Sequence, residues 1–280
     1  MQVNVAKSAG FCFGVKRALD IAFKTAATVP DVYILGDIVH NEEVIRELES
    51  AGIKKIKRLA SSKNKTLLIR AHGVSKKLLE RTQKLGYKII DATCPMVKEI
   101  HKIAKTIEDE GYSVIIIGDK NHDEVRGIIG QLKTKGIVIE NPGGIPIHRI
   151  SRIKKAGVVV QSTQNIENVL KILKVLRQHI KKVEFFNTVC RPTRVKQEEI
   201  KKMPLENGLM LVIGSKTSAN TGRLYEISKS LNPKTYWVQS RKDLKKEWFK
   251  NVKTLGLTAG ASTPDRTINE IIACLSSLTP

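Results

Sequence analysis

Cys12, Cys94 and Cys190 anchor a threefold internal repeat, and that repeat constrains the fold more than any other feature of the chain. Each cysteine follows a short β-prone run: Val3 to Val5, Tyr87 to Ile90, and Val183 to Phe186. Each is followed by a stretch with helical spacing of apolar residues. A glycine that ends an apolar strand lies 24 residues after each cysteine, at Gly36, Gly118 and Gly214. Four residues further stand His40, His122 and Ser218, and two beyond those stand Glu42, Glu124 and Asn220. Three such matches in register, at a period of about 90 residues, read as three copies of one supersecondary unit.

Within each copy, apolar strands alternate with helical stretches. Val32 to Leu35, Thr66 to Ile69, Ser113 to Ile117, Gly157 to Val160, Leu209 to Ile213, Thr235 to Val238 and Thr254 to Thr258 read as strands. Ser75 reads as the cap of a helix from Lys76, and Pro95 as a first helical residue. A helix is expected from Arg223, and a last one runs to Leu278. The alternation predicts α/β units with parallel sheets, in which ligands bind beyond the carboxyl ends of the strands. His40 and His72, His122 and Thr163, and Ser218 and Ser262 lie at those ends. Several precede helix N-termini, whose amides and dipole favour anions. The pattern therefore predicts three small α/β lobes that direct cysteines and strand tips at one anion site.

Composition narrows the functional classes. A chain of 280 residues with 41% hydrophobic and 27% charged residues is globular and suits two or three subdomains. It contains no run of 18 apolar residues, so no transmembrane helix is expected. The N-terminus lacks the layout of a secretory signal, so a cytoplasmic protein is expected. Gaps of 82, 96 and 84 residues between the four cysteines match neither a small disulfide framework nor a zinc ribbon. The net charge of +22 reads either as attraction for an anionic partner or as a lysine-rich solvated surface. Aromatics make up only 5%, which counts against single-stranded nucleic acid as that partner.

Three separated cysteines of one repeat suit a soft-metal centre: an iron–sulfur cluster with an open iron, or a closed zinc site completed by a histidine. Buried structural cysteines are the alternative. Glu124 is a candidate proton donor, although position alone favours a first-turn helix acid, like Glu42 and Glu43. Three histidines at matching strand ends read as an anion pocket. Cys274 falls on the apolar face of the last helix and reads as core. His101, His148 and His179 occupy no repeat position and are expected on surfaces. Gly214-Ser215-Lys216-Thr217 superficially resembles a phosphate-binding loop but lacks the required glycine spacing. No GxGxxG motif follows a strand, so electrons would come from another protein.

Several motifs together resemble the LytB/IspH family of 4-hydroxy-3-methylbut-2-enyl diphosphate reductases. They are Gly10-Phe11-Cys12-Phe13-Gly14-Val15, Val39-His40-Asn41, Ala71-His72-Gly73-Val74, Asp91-Ala92-Thr93-Cys94-Pro95, His122-Asp123-Glu124-Val125, Gly214-Ser215-Lys216-Thr217-Ser218-Ala219-Asn220 and Thr258-Ala259-Gly260-Ala261-Ser262. The resemblance implies three α/β lobes in a pseudo-threefold cloverleaf around one [4Fe–4S] cluster per chain, with lobes at 13–93, 94–189, and 190–280 plus 1–12. It implies Cys12, Cys94 and Cys190 as cluster ligands. It assigns the diphosphate to His40, His72, His122, Ser218, Asn220 and Ser262, proton relay to Glu124, and the substrate hydroxyl to Thr163. The implied reaction is a two-electron reductive loss of that hydroxyl from an allylic diphosphate. Its products are isopentenyl and dimethylallyl diphosphate, and the implied electron donor is a protein such as ferredoxin or flavodoxin. Neither nucleic acid nor membrane is an expected partner. The chain departs from the family pattern at Ser162, Lys196 and Ala219.

Overall fold

The computed structural model describes residues 1–61 and 64–278. The chain begins with β1 (Gln2–Val5) and α1 (Phe13–Thr28). A first sheet follows, built from β2 (Val32–Leu35), β3 (Lys54–Ile56), β4 (Thr66–Ile69) and β5 (Lys88–Asp91), with α2 (Glu42–Ser50) and α3 (Lys76–Lys84) between them. After α4 (Pro95–Asp109) comes a second, from β6 (Ser113–Ile117), β7 (Ile137–Ile139), β8 (Lys155–Val160) and β9 (Lys182–Phe185). Its connections carry α5 (Asp123–Ile129), the short α6 (Ile147–Ile150) and α7 (Ile166–His179). The remainder contains α8 (Arg191–Ile200), the short α9 (Met203–Glu206), β10 (Leu209–Ile213), α10 (Ala219–Leu231), β11 (Thr235–Val238), β12 (Thr254–Ala259) and α11 (Asp265–Leu278). None of the described helices is long and apolar enough to cross a membrane.

The three sheets share one topology. Their orders are β3-β2-β4-β5, β7-β6-β8-β9 and β11-β10-β12-β1, and every pairing is parallel. Each sheet therefore has the second strand of its repeat at one edge, then the first, the third and a fourth. In the third sheet the fourth strand is β1, with Gln2 opposite Thr254 and Val5 opposite Leu257. The repeat read from the cysteines is thus a repeat of sheets, with the copy boundary displaced so that the N-terminal strand completes the last one.

The chain folds as two compact units. One comprises Met1–Lys16, Val39–Arg46 and Arg191–Pro280, and the other Arg17–Ile38 and Glu47–Cys190. In the first unit, β10 and β12 are buried along nearly their whole length between two apolar clusters, one around Leu211, Leu257 and Ile271 and one around Val212 and Leu224. In the second, β6 and β8 are enclosed by Ile117, Val160 and Leu173 on one face and Ile100, Ile116 and Val159 on the other. Near-continuous apolar runs, such as those of β6 and β10, are what a parallel strand covered on both faces requires.

Two repeat glycines have a steric explanation. A Cβ on Gly118 would stand 2.8 Å from both Gln161 Cβ and Val125 Cγ2. Gly214 adopts φ +145°, and a Cβ there would stand 2.7 Å from the hydroxyls of Thr221 and Thr263. The first strand of the unit must come this close to the third-strand tip, so glycine ends it.

Some expectations are corrected. β3 lies in a lysine run that carries no strand signal, yet it pairs with β2 at the sheet edge. α10 begins at Ala219, not Arg223, because Ser218 caps it by accepting the Thr221 N–H. Its first turn, Ala219 to Gly222, holds small and polar residues and so lacks the apolar periodicity that marks a helix start. His148 and His179 are exposed, but His101 is not a surface residue. Its ring lies against Gly73 and Gly127, and burial pushes it down to about 4. Cys274 is half-buried rather than a full core residue.

Candidate functional site

The threefold repeat places each cysteine in the same way. Cys12, Cys94 and Cys190 follow the fourth strand of a sheet and immediately precede α1, α4 and α8. Each backbone N–H donates to a carbonyl just beyond the third strand of that sheet: Cys12 to Ala261 at 3.1 Å, Cys94 to Ala71 at 3.0 Å and Cys190 to Ser162 at 3.0 Å. The acceptor in every case is the residue just before Ser262, His72 or Thr163. Cysteine and strand-tip side chain are therefore tied together, once per repeat. All three thiols are half-buried, and each stands at a helix N-terminus, where the dipole favours negative charge. This is a donor set that fits a thiolate-bound metal centre.

The second unit carries the buried carboxyl of Glu124. His122 caps α5, and its Nδ1 accepts the Glu124 N–H at 3.1 Å. That bond leaves the proton on Nε2, which can then donate. The His72 and His122 rings meet edge to face, with centroids 5.4 Å apart. Arg70, at the end of β4, donates to Asp123 at 2.6 Å and so joins the segments that bear the two histidines. Glu124 is both the first-turn acid that its position implies and a buried group, 2% exposed. One carboxylate oxygen accepts the Ser162 N–H at 2.6 Å, and the Ser162 hydroxyl contacts the other at 2.7 Å. Burial pushes the carboxyl above the ordinary glutamate range, against those two hydrogen bonds, and the Asp119 charge adds to the rise.

Gln161 had no role in the sequence analysis. It is fully buried, and its Nε2 donates to the Thr163 hydroxyl at 2.9 Å while its Oε1 accepts the Asp119 N–H at 2.8 Å. Thr163 Oγ1 thus acts as an acceptor from inside the protein. The only prior signal was its place directly after a buried strand.

The first unit carries His40, Ser218, Asn220 and Ser262. Asn41 caps α2 by accepting the N–H groups of Glu43 and Val44, at 3.0 and 3.1 Å, which fixes the turn at His40. Glu42 accepts from Ser215 at 2.9 Å, and Glu43 accepts from Thr267. The Ser262 hydroxyl donates to the His40 carbonyl at 3.1 Å, so Ser262 braces His40 as well as facing the strand end. Ser218 caps α10 through its oxygen and can still donate. Asn220 is 4% exposed, and its Nδ2 is buried without a hydrogen-bond partner. A buried amide donor in that state costs about 1–3 kcal/mol unless something accepts from it.

Comparison with known proteins gives these arrangements a family. The LytB protein family model matches residues 3–276. A 4-hydroxy-3-methylbut-2-enyl diphosphate reductase of Aquifex aeolicus is 40% identical over 97% of this chain and 94% of its own. The Dictyoglomus turgidum protein of the same name is 39% identical over 100% and 98%. Among solved structures, an (E)-4-hydroxy-3-methyl-but-2-enyl diphosphate reductase, described as the terminal enzyme of the non-mevalonate pathway, superposes with a TM-score of 0.74. It is 39% identical, and the match covers 99% of this chain and 100% of that one. The E-1-hydroxy-2-methyl-but-2-enyl-4-diphosphate reductase of Plasmodium falciparum superposes with a TM-score of 0.89 at 28% identity, covering 98% and 88%. With a match that spans the whole three-sheet fold and every repeated strand tip, the chain belongs to the LytB family, whose relatives named here are 4-hydroxy-3-methylbut-2-enyl diphosphate reductases.

Proposed function

We propose that this chain reduces 4-hydroxy-3-methylbut-2-enyl diphosphate to isopentenyl and dimethylallyl diphosphate, with Glu124 as proton donor. The observation that carries the assignment is the buried Glu124 carboxyl, held by Ser162 beside Thr163 at the tip of the same sheet. Membership of the LytB family implies an iron–sulfur enzyme. In this reading Cys12, Cys94 and Cys190 hold a [4Fe–4S] cluster, with the lobes divided at 13–93, 94–189, and 190–280 plus 1–12. When bound, such a cluster supplies electrons singly and an iron with an open coordination position.

The reaction breaks the allylic C–O bond and consumes two electrons and two protons. One proton leaves in water and the other ends on carbon, and the carbon that receives it decides the product. Burial raises the Glu124 carboxyl above the ordinary range and so favours its protonated form, which suits a proton donor. Thr163 donates its O–H to the substrate hydroxyl and orients it. His122, through Nε2–H, binds the diphosphate with His40, His72, Ser218 and Asn220, and Ser262 joins them by turning its O–H from the His40 carbonyl to a phosphate oxygen. Several such donors, some at helix N-termini, suit a doubly charged head group. The net charge of +22 supports an acidic electron carrier of the ferredoxin or flavodoxin kind. A turnover rate with such a carrier that ignores ionic strength would contradict that partner.

The test is anaerobic purification, iron and sulfide analysis, and electron paramagnetic resonance of the reduced protein with and without 4-hydroxy-3-methylbut-2-enyl diphosphate. The expected result is about four irons per chain and a spectrum altered by the substrate. A protein that takes up no iron on reconstitution, or whose spectrum ignores the substrate, refutes the assignment.

A further inference from the structure

Lys196 is 2% exposed, an unusual place for an ammonium. Its Nζ donates to three backbone carbonyls: Ser8, Gly10 at 3.0 Å and Ala259 at 3.1 Å. Ser8 and Gly10 belong to the turn between β1 and Cys12, where Gly10 takes φ +90°. Ala259 ends β12, two residues before Ala261, whose carbonyl accepts the Cys12 N–H. One buried charge therefore gathers both supports of the Cys12 backbone.

Glu199 lies three residues on, on the same face of α8. Its carboxylate accepts the Lys7 N–H at 2.9 Å, the Ser8 N–H at 3.0 Å and the Ser8 hydroxyl. The helix thus satisfies the acceptors of the turn with Lys196 and its donors with Glu199. An apolar side chain at position 196 would fill the same volume but leave three carbonyls without this donor, so the ammonium fixes the turn as well as filling space. The helix that makes these contacts starts at the residue after Cys190.

We propose that Lys196, with Glu199, is a positioning clamp that sets the Cys12 thiol for cluster binding before any cluster is present. The proposal rests on the reading of Cys12 as a cluster ligand. It is tested first in the apoprotein, by the rate at which iodoacetamide alkylates each cysteine, resolved by peptide mass spectrometry. In Lys196→Met, local release of the turn should raise the Cys12 rate about tenfold, with Cys94 and Cys190 unchanged. Lys196→Arg, which keeps the charge and the donors, should restore most of the protection. In the reconstituted protein, loss of iron to a chelator should be about 10–100-fold faster in Lys196→Met, as when the support of a metal ligand is removed.

Glu199→Gln keeps the side-chain shape and carries the same readout if Lys196→Met does not fold. An unchanged Cys12 rate, or equal acceleration at all three cysteines, overturns the clamp. The outcomes separate cleanly from failure of the cluster assignment: a wild-type chain that binds no iron refutes the assignment, while the alkylation pattern still decides the clamp.

Discussion

Replacing Glu124 by glutamine separates its chemical role from its structural cost. The amide is nearly isosteric. Its oxygen can still accept the 2.6 Å bond from the Ser162 N–H, and its NH2 can donate to the Ser162 hydroxyl, so the local fold persists. What disappears is the proton. A positioned general acid contributes about 10²–10⁴-fold, or about 2.7–5.5 kcal/mol of barrier at about 1.36 kcal/mol per decade. Stability should move the opposite way. The folded-state carboxyl is raised above its value of 4.5 in an unfolded chain, chiefly by burial. A raised group contributes stability that is fully present below the unfolded value and is lost as pH rises through the folded one. Wild-type stability should therefore fall above about pH 4.5, by at most about 1.36 kcal/mol per pH unit from this group. The variant lacks that loss. Chemical denaturation of both apoproteins from pH 4 to 8 should show the variant gaining on the wild type as pH rises, while turnover of the loaded variant drops by at least about a hundredfold. A stability difference independent of pH, or turnover within about threefold of wild type, would refute the reasoning.

The other strand tips make narrower predictions. Asn220→Ala removes a buried donor that has no hydrogen-bond partner, so apoprotein stability should change by less than about 1 kcal/mol, while KM for the diphosphate rises about tenfold or more. A large loss of stability with unchanged KM would take Asn220 out of the anion site. Gly118→Ala forces a methyl against Gln161 and Val125 at 2.8 Å and should cost about 1–3 kcal/mol in urea denaturation. A neutral result would mean that β6 need not approach the β8 tip so closely.

Most of the architecture was legible because it repeats. Strands with dense apolar content, such as Ser113–Ile117 and Leu209–Ile213, declare themselves, and the repeat then locates their weaker counterparts. β3 escaped because an edge strand needs little apolar content and Lys54 and Lys55 face solvent. The start of α10 escaped because capping chemistry, not periodicity, begins it. His101 looked like a surface residue because helical spacing says nothing of which neighbours are glycines, and Gly73 and Gly127 are what let its ring in. At the site, cysteines and strand-tip residues could be read by offset. The connections that set their orientation could not: Gln161 to Thr163, Ser262 to His40, and Lys196 to the Cys12 turn all join positions through space.

The placement of β1 in the third sheet has a consequence for biosynthesis. β1 hydrogen-bonds to β12, so this strand, made before the other strands described here, finds its partner only after residue 254 has emerged. The first two sheets are each contiguous in the chain and can form during synthesis, as domains generally do. The turn that bears Cys12 closes onto the last sheet, making it a late, long-range event of the kind that slows folding. Of the three thiols, the earliest synthesised is therefore the last to reach its final surroundings, and if all three bind one cluster, a nascent chain would offer at most two of them in place.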